Sequence, residues 1–183
     1  MNDTLFWNYI EKSRQESEQD TEQQITILAE ELENLDKKQL FAFGSFVDYY
    51  TENLGQALLW NAAKVILAEI DEDLFDNFRY WVILQGKEMY GQILTNPDYI
   101  AEFCGTEIIE EIKVQAENLG ILADTVYENN TERTDFYEKM NSWQEENFEL
   151  DFEDIDSGFL ADEIITDFAK LEELYPALCK KFF

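Results

Sequence analysis

The stretch ALLWNAAKVILAEI, residues 57–70, decides the fold class. Its apolar positions recur every three or four residues, and it holds no proline or glycine, so it reads as a helix that is apolar on most of its circumference. Such a helix is buried on several sides. We expect it at the centre of the molecule, with Trp60, Ile66, Leu67 and Ile70 supplying buried area and Ala62 and Ala63 letting a neighbour approach closely.

Outward from this centre the pattern stays helical. Phe6, Trp7 and Ile10 mark a first helix opening after Asp3 or Thr4, and Thr21 with Gln24 has the spacing of a capping box before Ile25, Leu28, Leu32 and Leu35. Asp36 with Gln39 repeats that spacing before Leu40, Phe43, Phe46, Val47 and Tyr50. Beyond Gly55 and the central stretch, a helix over 74–85 starts at Asp71 or Asp73 and stops at Gly86. Asn96 caps a short helix with Pro97 in its first position, Gly105 breaks the chain, and IIEEIKVQAENL runs to Gly120. The pattern loosens over 121–157, where ENNTERT reads as a solvated loop and a short helix is expected only near 136–143. A last long helix is expected over 159–174, with Tyr175 and Pro176 ending it before a closing turn. The expectation is an all-α, single compact domain of about eight helices over residues 1–183, with at most a minor sheet.

Composition limits what such a domain does. The 183 residues are 45% hydrophobic and 15% aromatic, enough to fill a core, and no apolar run approaches the ~20 residues of a membrane span. The N-terminus lacks the basic start and apolar stretch of a signal peptide, so the sequence reads as cytoplasmic. Cys104 and Cys179 lie far apart beside apolar neighbours and read as buried reduced thiols. The net charge of −28, heavier in the C-terminal half, repels nucleic acid and anionic membranes and favours a basic protein partner. The same charge also serves plain solubility.

The chain contains no histidine, so imidazole acid–base catalysis, Ser-His-Asp and Cys-His arrangements and histidine-ligated zinc are excluded. There is no GxGxxG, no phosphate loop and no CxxC pair. We therefore expect a binding protein rather than an enzyme, with neither cofactor nor metal.

Two segments carry candidate sites. In DEDLFDNFRYWVILQGKEMYG, residues 71–91, the structural reading has Asp71 and Asp73 capping the helix while Arg79 and Lys87 tie it to its neighbour. The spacing also sets Glu72, Asp76 and Arg79 on one side of the helix. The binding reading groups Asp71, Asp73, Arg79, Trp81, Lys87 and Tyr90 as a small-molecule or anion pocket, with Arg79 and Lys87 holding the anion between aromatic walls. In EENFELDFEDID, residues 145–156, seven acids stand in twelve positions with no base. Read as a loop starting at Asp151, it lacks a calcium loop's glycine, for Asp156 stands there. One reading is a solvated connector. The other is an adhesive strip in which Phe148 and Phe152 anchor a basic protein framed by Glu149, Asp151, Glu153 and Asp154.

Phe6–Trp7, Leu59–Trp60, Ala62–Ala63, Asp71, Asp73, Phe75, Phe78, Arg79, Trp81, Gln85, Gly86, Lys87, Tyr90 and Asn96–Pro97–Asp98 together resemble the bacterial domain-of-unknown-function family 4240, over roughly residues 5–100. The resemblance implies a bacterial helical domain, and leaves 101–183 as an acidic helical extension. It implies no activity. The leading expectation is an acidic interaction module, acting as an immunity protein or inhibitor acts on a basic partner. The alternative is a small-molecule or anion sensor, or a weak enzyme, centred on Asp73, Arg79, Lys87 and Tyr90.

Overall fold

The computed structural model describes residues 1–148, 150 and 163–183, and within them every regular element is helical. Helices α1 (Asp3–Glu16), α2 (Thr21–Leu32), α3 (Lys37–Asn53), α4 (Ala57–Leu67), α5 (Glu72–Leu84) and α6 (Lys87–Thr95) follow with short connections. A 3-10 turn, Pro97–Tyr99, leads into α7 (Ile100–Phe103); α8 (Ile108–Glu110) continues as a π-helical turn, Glu111–Gln115. Then come α9 (Asn118–Thr131), α10 (Phe136–Asn147), α11 (Phe168–Leu174) and α12 (Pro176–Phe182).

The described residues thus hold more helices than the eight expected, and the extra ones have local causes. Gly86 adopts φ +89° and ψ 167°, a region open to glycine alone, so the chain turns there and α6 restarts at once. Pro176, at a first helical position where its missing N–H costs nothing, starts α12 where only a closing turn was expected. Its free amides are held by Asp98, whose carboxylate accepts from Ala177 N at 3.1 Å and Leu178 N at 2.8 Å.

The capping boxes divide. At α3 both arms form: Asp36 Oδ1 accepts from Gln39 N, and Gln39 Oε1 accepts from Asp36 N. At α2 the cap is Asp20 rather than Thr21. Gln24 is instead buried, and its amide donates to the carbonyls of Ile10 and Leu84 at 3.3 and 3.1 Å, stitching α1, α2 and α5 together. A buried amide without such partners would cost about 1–3 kcal/mol.

The largest corrections fall after residue 105. Gly120 does not end a helix; it lies inside α9, where a Cβ would stand 2.6 Å from the Tyr80 ring. The glycine serves close approach of α9 to α5. Leu119, Leu122, Ala123, Val126 and Tyr127 form a buried stripe that lays α9 on α2 and α3, so residues read as a loose segment and solvated loop are helix up to Thr131. Of the expected helix over 159–174, residues 164–167 are not helical and α11 starts only at Phe168, capped by Asp167; 159–162 lie outside the described residues.

The centre of the molecule is α3, not α4. It packs on α1, α5, α9 and α10, and Phe6, Trp7, Phe43, Phe46, Tyr50 and Tyr90 form a continuous aromatic cluster around it. Helix α4 packs on α5 and on α12, with Tyr175 Oη donating to the Leu58 carbonyl at 2.8 Å. Helix α4 thus joins the C-terminal helix α12 to α5. Cys104 and Cys179 are free and buried, and burial pushes the Cys104 thiol up to about 12. No helix among the described residues is long and apolar enough to cross a membrane.

Candidate functional site

The six side chains of the expected pocket do not meet. Asp71 caps α5, accepting from Leu74 N at 2.9 Å, and Asp73 stands in the exposed first turn. Trp81 is fully buried, and its indole N–H donates to Glu111 Oε2 at 2.9 Å. The π-helical turn carries that glutamate, which also accepts from Thr21 Oγ1 at 3.2 Å. Tyr90 is buried as well: its hydroxyl donates to the Tyr50 carbonyl at 3.1 Å and accepts from Asn53 at 2.9 Å. Burial pushes that phenol well above its usual pKa.

The two bases lie in different places. Lys87 Nζ pairs with Asp3 Oδ2 at 2.6 Å on an exposed edge. Partial burial works against ionised Asp3, but hydrogen bonds from Lys87 and Tyr50 outweigh it and hold the carboxyl below its usual range. Lys87 borders a cavity of about 470 Å³ shared with Arg14, Gln85 and Gly86, and rimmed by Glu11, Glu18 and Glu88. Three carboxylates against two bases make poor ground for an anion.

Arg79 borders a second cavity, between α4 and α5. It holds about 430 Å³ and is lined by Gly55, Trp60, Glu72, Phe75, Asp76, Arg79 and Ile164. The guanidinium lies 4.8 Å from the Phe75 ring centre, donates from Nη1 to the Thr51 carbonyl at 3.1 Å, and pairs through Nη2 with Asp76. Its Nε is buried with no acceptor among the described residues. Glu72 shares this side of the helix, as the spacing predicted, but has no ion-pair partner among the described residues.

Phe148 turns inward. It packs on Phe46 with ring centres 4.9 Å apart and on Tyr49 at 6.1 Å. Glu149, Asp151, Phe152, Glu153 and Asp154 lie outside the described residues.

A different acidic face was not foreseen. Asp48 and Glu52 stand one turn apart on α3, Asp124 and Glu128 one turn apart on α9, and Tyr80 and Tyr137 lie among them. Tyr137 is 46% exposed. Asp48 is solvent-exposed by surface area, yet desolvation by the helices packed around it, with the charge of Glu52, pushes its carboxyl up to about 6. Desolvation and Glu128 likewise raise Asp124. None of these four acids has a basic partner among the described residues. The i,i+4 like-charge spacing was readable, but the meeting of α3 with α9 was hidden once Gly120 was read as a helix end.

No characterised protein and no solved structure matches the chain. The family model described as "Protein of unknown function (DUF4240)" matches residues 1–129. The match runs past the residue-100 limit expected above, and for a physical reason: α9 packs on α2 and α3 and belongs to the same core. On a match over this much of its length, the chain belongs to the DUF4240 family of proteins of unknown function.

Proposed function

We propose that this protein is an acidic interaction module that captures a basic protein, acting on it as an immunity protein or inhibitor does. The observation that supports this reading is the α3–α9 face, where like-charged carboxylates with no ion-pair partner among the described residues stand near Tyr80 and the exposed Tyr137. Like charges one turn apart on a helix destabilise it slightly. A partner's lysines and arginines relieve that repulsion, and tyrosine adds short-range contact that charge alone does not supply. The anion reading has less support, since Arg79 and Lys87 border separate cavities and each already pairs with a carboxylate.

The test begins with capture from a lysate of the source organism at low and high salt, followed by kinetics on the purified partner. The expected partner is basic, and its association slows steeply as the screening length falls from about 10 Å at 0.1 M salt to about 3 Å at 1 M. An acidic partner, or salt-independent association, overturns the reading.

A further inference from the structure

The cavity between α4 and α5 has the make-up of a receptor for one basic side chain, and its walls are fixed by the chain's own bonds. Ile164 forms one side. It is held between Glu163, whose carbonyl accepts from Asn61 Nδ2 at 3.1 Å, and Ile165, whose N–H donates to Asn61 Oδ1 at 2.9 Å. Lys64 Nζ donates to the Ile165 carbonyl at 3.0 Å, so that ammonium is occupied. Trp60 and Phe75 form an aromatic corner, ring centres 4.9 Å apart and planes at 62°. Gly55 adds no side chain to the space.

The charges in this cavity do not balance. Arg79 is matched by Asp76, which leaves Glu72 over. An entering anion meets an arginine already neutralised and a carboxylate that repels it. An entering cation meets Glu72 and aromatic surface, and the field of a chain of charge −28 raises its local concentration. Arg79 over Phe75 is an internal instance of the same contact, a guanidinium resting on this aromatic layer. The volume, about 430 Å³, exceeds what one lysine or arginine side chain fills and leaves room for the backbone that carries it.

We propose that this cavity receives a lysine or arginine side chain from the basic partner, with Glu72 pairing its charge and Trp60 and Phe75 flanking its stem. The proposal rests on the reading of a basic partner and gives that partner an anchoring point apart from the α3–α9 face.

The probe is N-acetyl-L-arginine amide, titrated into the full chain and followed by amide and indole NMR, with the uncharged isostere N-acetyl-L-citrulline amide as control. The arginine probe should move the Trp60 indole N–H and the amides of residues 72–79, while the citrulline probe leaves them nearly still. Glu72→Gln, an exposed first-turn change that keeps the fold, should weaken the arginine probe about tenfold, the loss of one charge-assisted contact of about 1.4 kcal/mol. Equal shifts with citrulline overturn the proposal. So do arginine shifts confined to other acidic residues and unchanged by Glu72→Gln, an outcome that leaves the basic-partner reading standing. If an oligo-arginine peptide shows no salt-dependent binding anywhere on the chain, the reading and the cavity fall together.

Discussion

Arg79 and Lys87 stand eight residues apart, and each pairs with an aspartate, but the molecule uses them differently. Arg79 is 15% exposed, lies on an aromatic ring, donates to a backbone carbonyl of α3 and keeps an Nε without an acceptor among the described residues. Lys87 is 55% exposed and makes one contact at the rim. An ion pair in water contributes about 0–1 kcal/mol, whereas removing one partner of a desolvated pair leaves a buried group unmet. The α3–α5 junction is therefore locked where the α1–α6 junction is only latched.

Arg79→Ala is the strongest test of that contrast. It should lower stability by about 2–3 kcal/mol in denaturant unfolding, because the guanidinium packing on Phe75 is lost and the Thr51 carbonyl, which keeps Leu54 N, and the part-exposed Asp76 each lose one charge-assisted donor. A loss under 1 kcal/mol would put Arg79 in the same class as Lys87.

Next in size is the turn between the two junctions. Gly86→Ala forces a Cβ into a backbone region that only glycine occupies without strain and should cost about 1–3 kcal/mol. Gly91, inside α6 with nothing within 4 Å of a built Cβ, gives the opposite sign: Gly91→Ala should add about 0.5–1 kcal/mol. If both substitutions destabilise, α6 is under constraints that its contacts do not account for. Smaller again, Lys87→Ala should cost less than about 1 kcal/mol and shift the Asp3 titration upward, read by carboxyl NMR.

The sequence carried local information well and spatial information unevenly. The Asp36–Gln39 box, the Asp71 cap and the Phe6, Trp7 and Ile10 face were all legible, since each depends on residues within one or two turns. Thr21 and Gln24 had the right spacing and the wrong roles, because the partners of Gln24 are backbone carbonyls of two other helices. Helix α9 was lost because a glycine that admits a tyrosine ring looks, in sequence, like one that ends a helix. The α4–α5 cavity was half legible. Glu72, Asp76 and Arg79 were placed on one side of a helix, but Ile164 enters from far along the chain, and the acceptor on Thr51 is a carbonyl that every residue has.

The smallest effect concerns the two acidic settings, and pH separates them. Asp48 and Asp124 have carboxyls raised by desolvation and by a like charge one turn away; Asp3 and Asp135 have theirs lowered by donors, Asp135 to about 2 through Arg133. A raised carboxyl binds more protons folded than unfolded between its unfolded value, about 3.9, and its folded one. It therefore makes stability fall as pH rises through that window, up to about 6 for Asp48. A lowered carboxyl does the reverse, and the stability it contributes is lost as pH drops below about 4. The melting temperature should rise modestly on going from pH 7 to pH 5, then fall below pH 4. Asp48→Asn should flatten the upper limb, since the amide has no charge to desolvate, and leave the acid limb unchanged. A melting temperature that falls steadily from pH 7 downward would mean that Asp48 and Asp124 are not strained by burial and by Glu52 and Glu128, and would take away the repulsion that a basic partner is proposed to relieve.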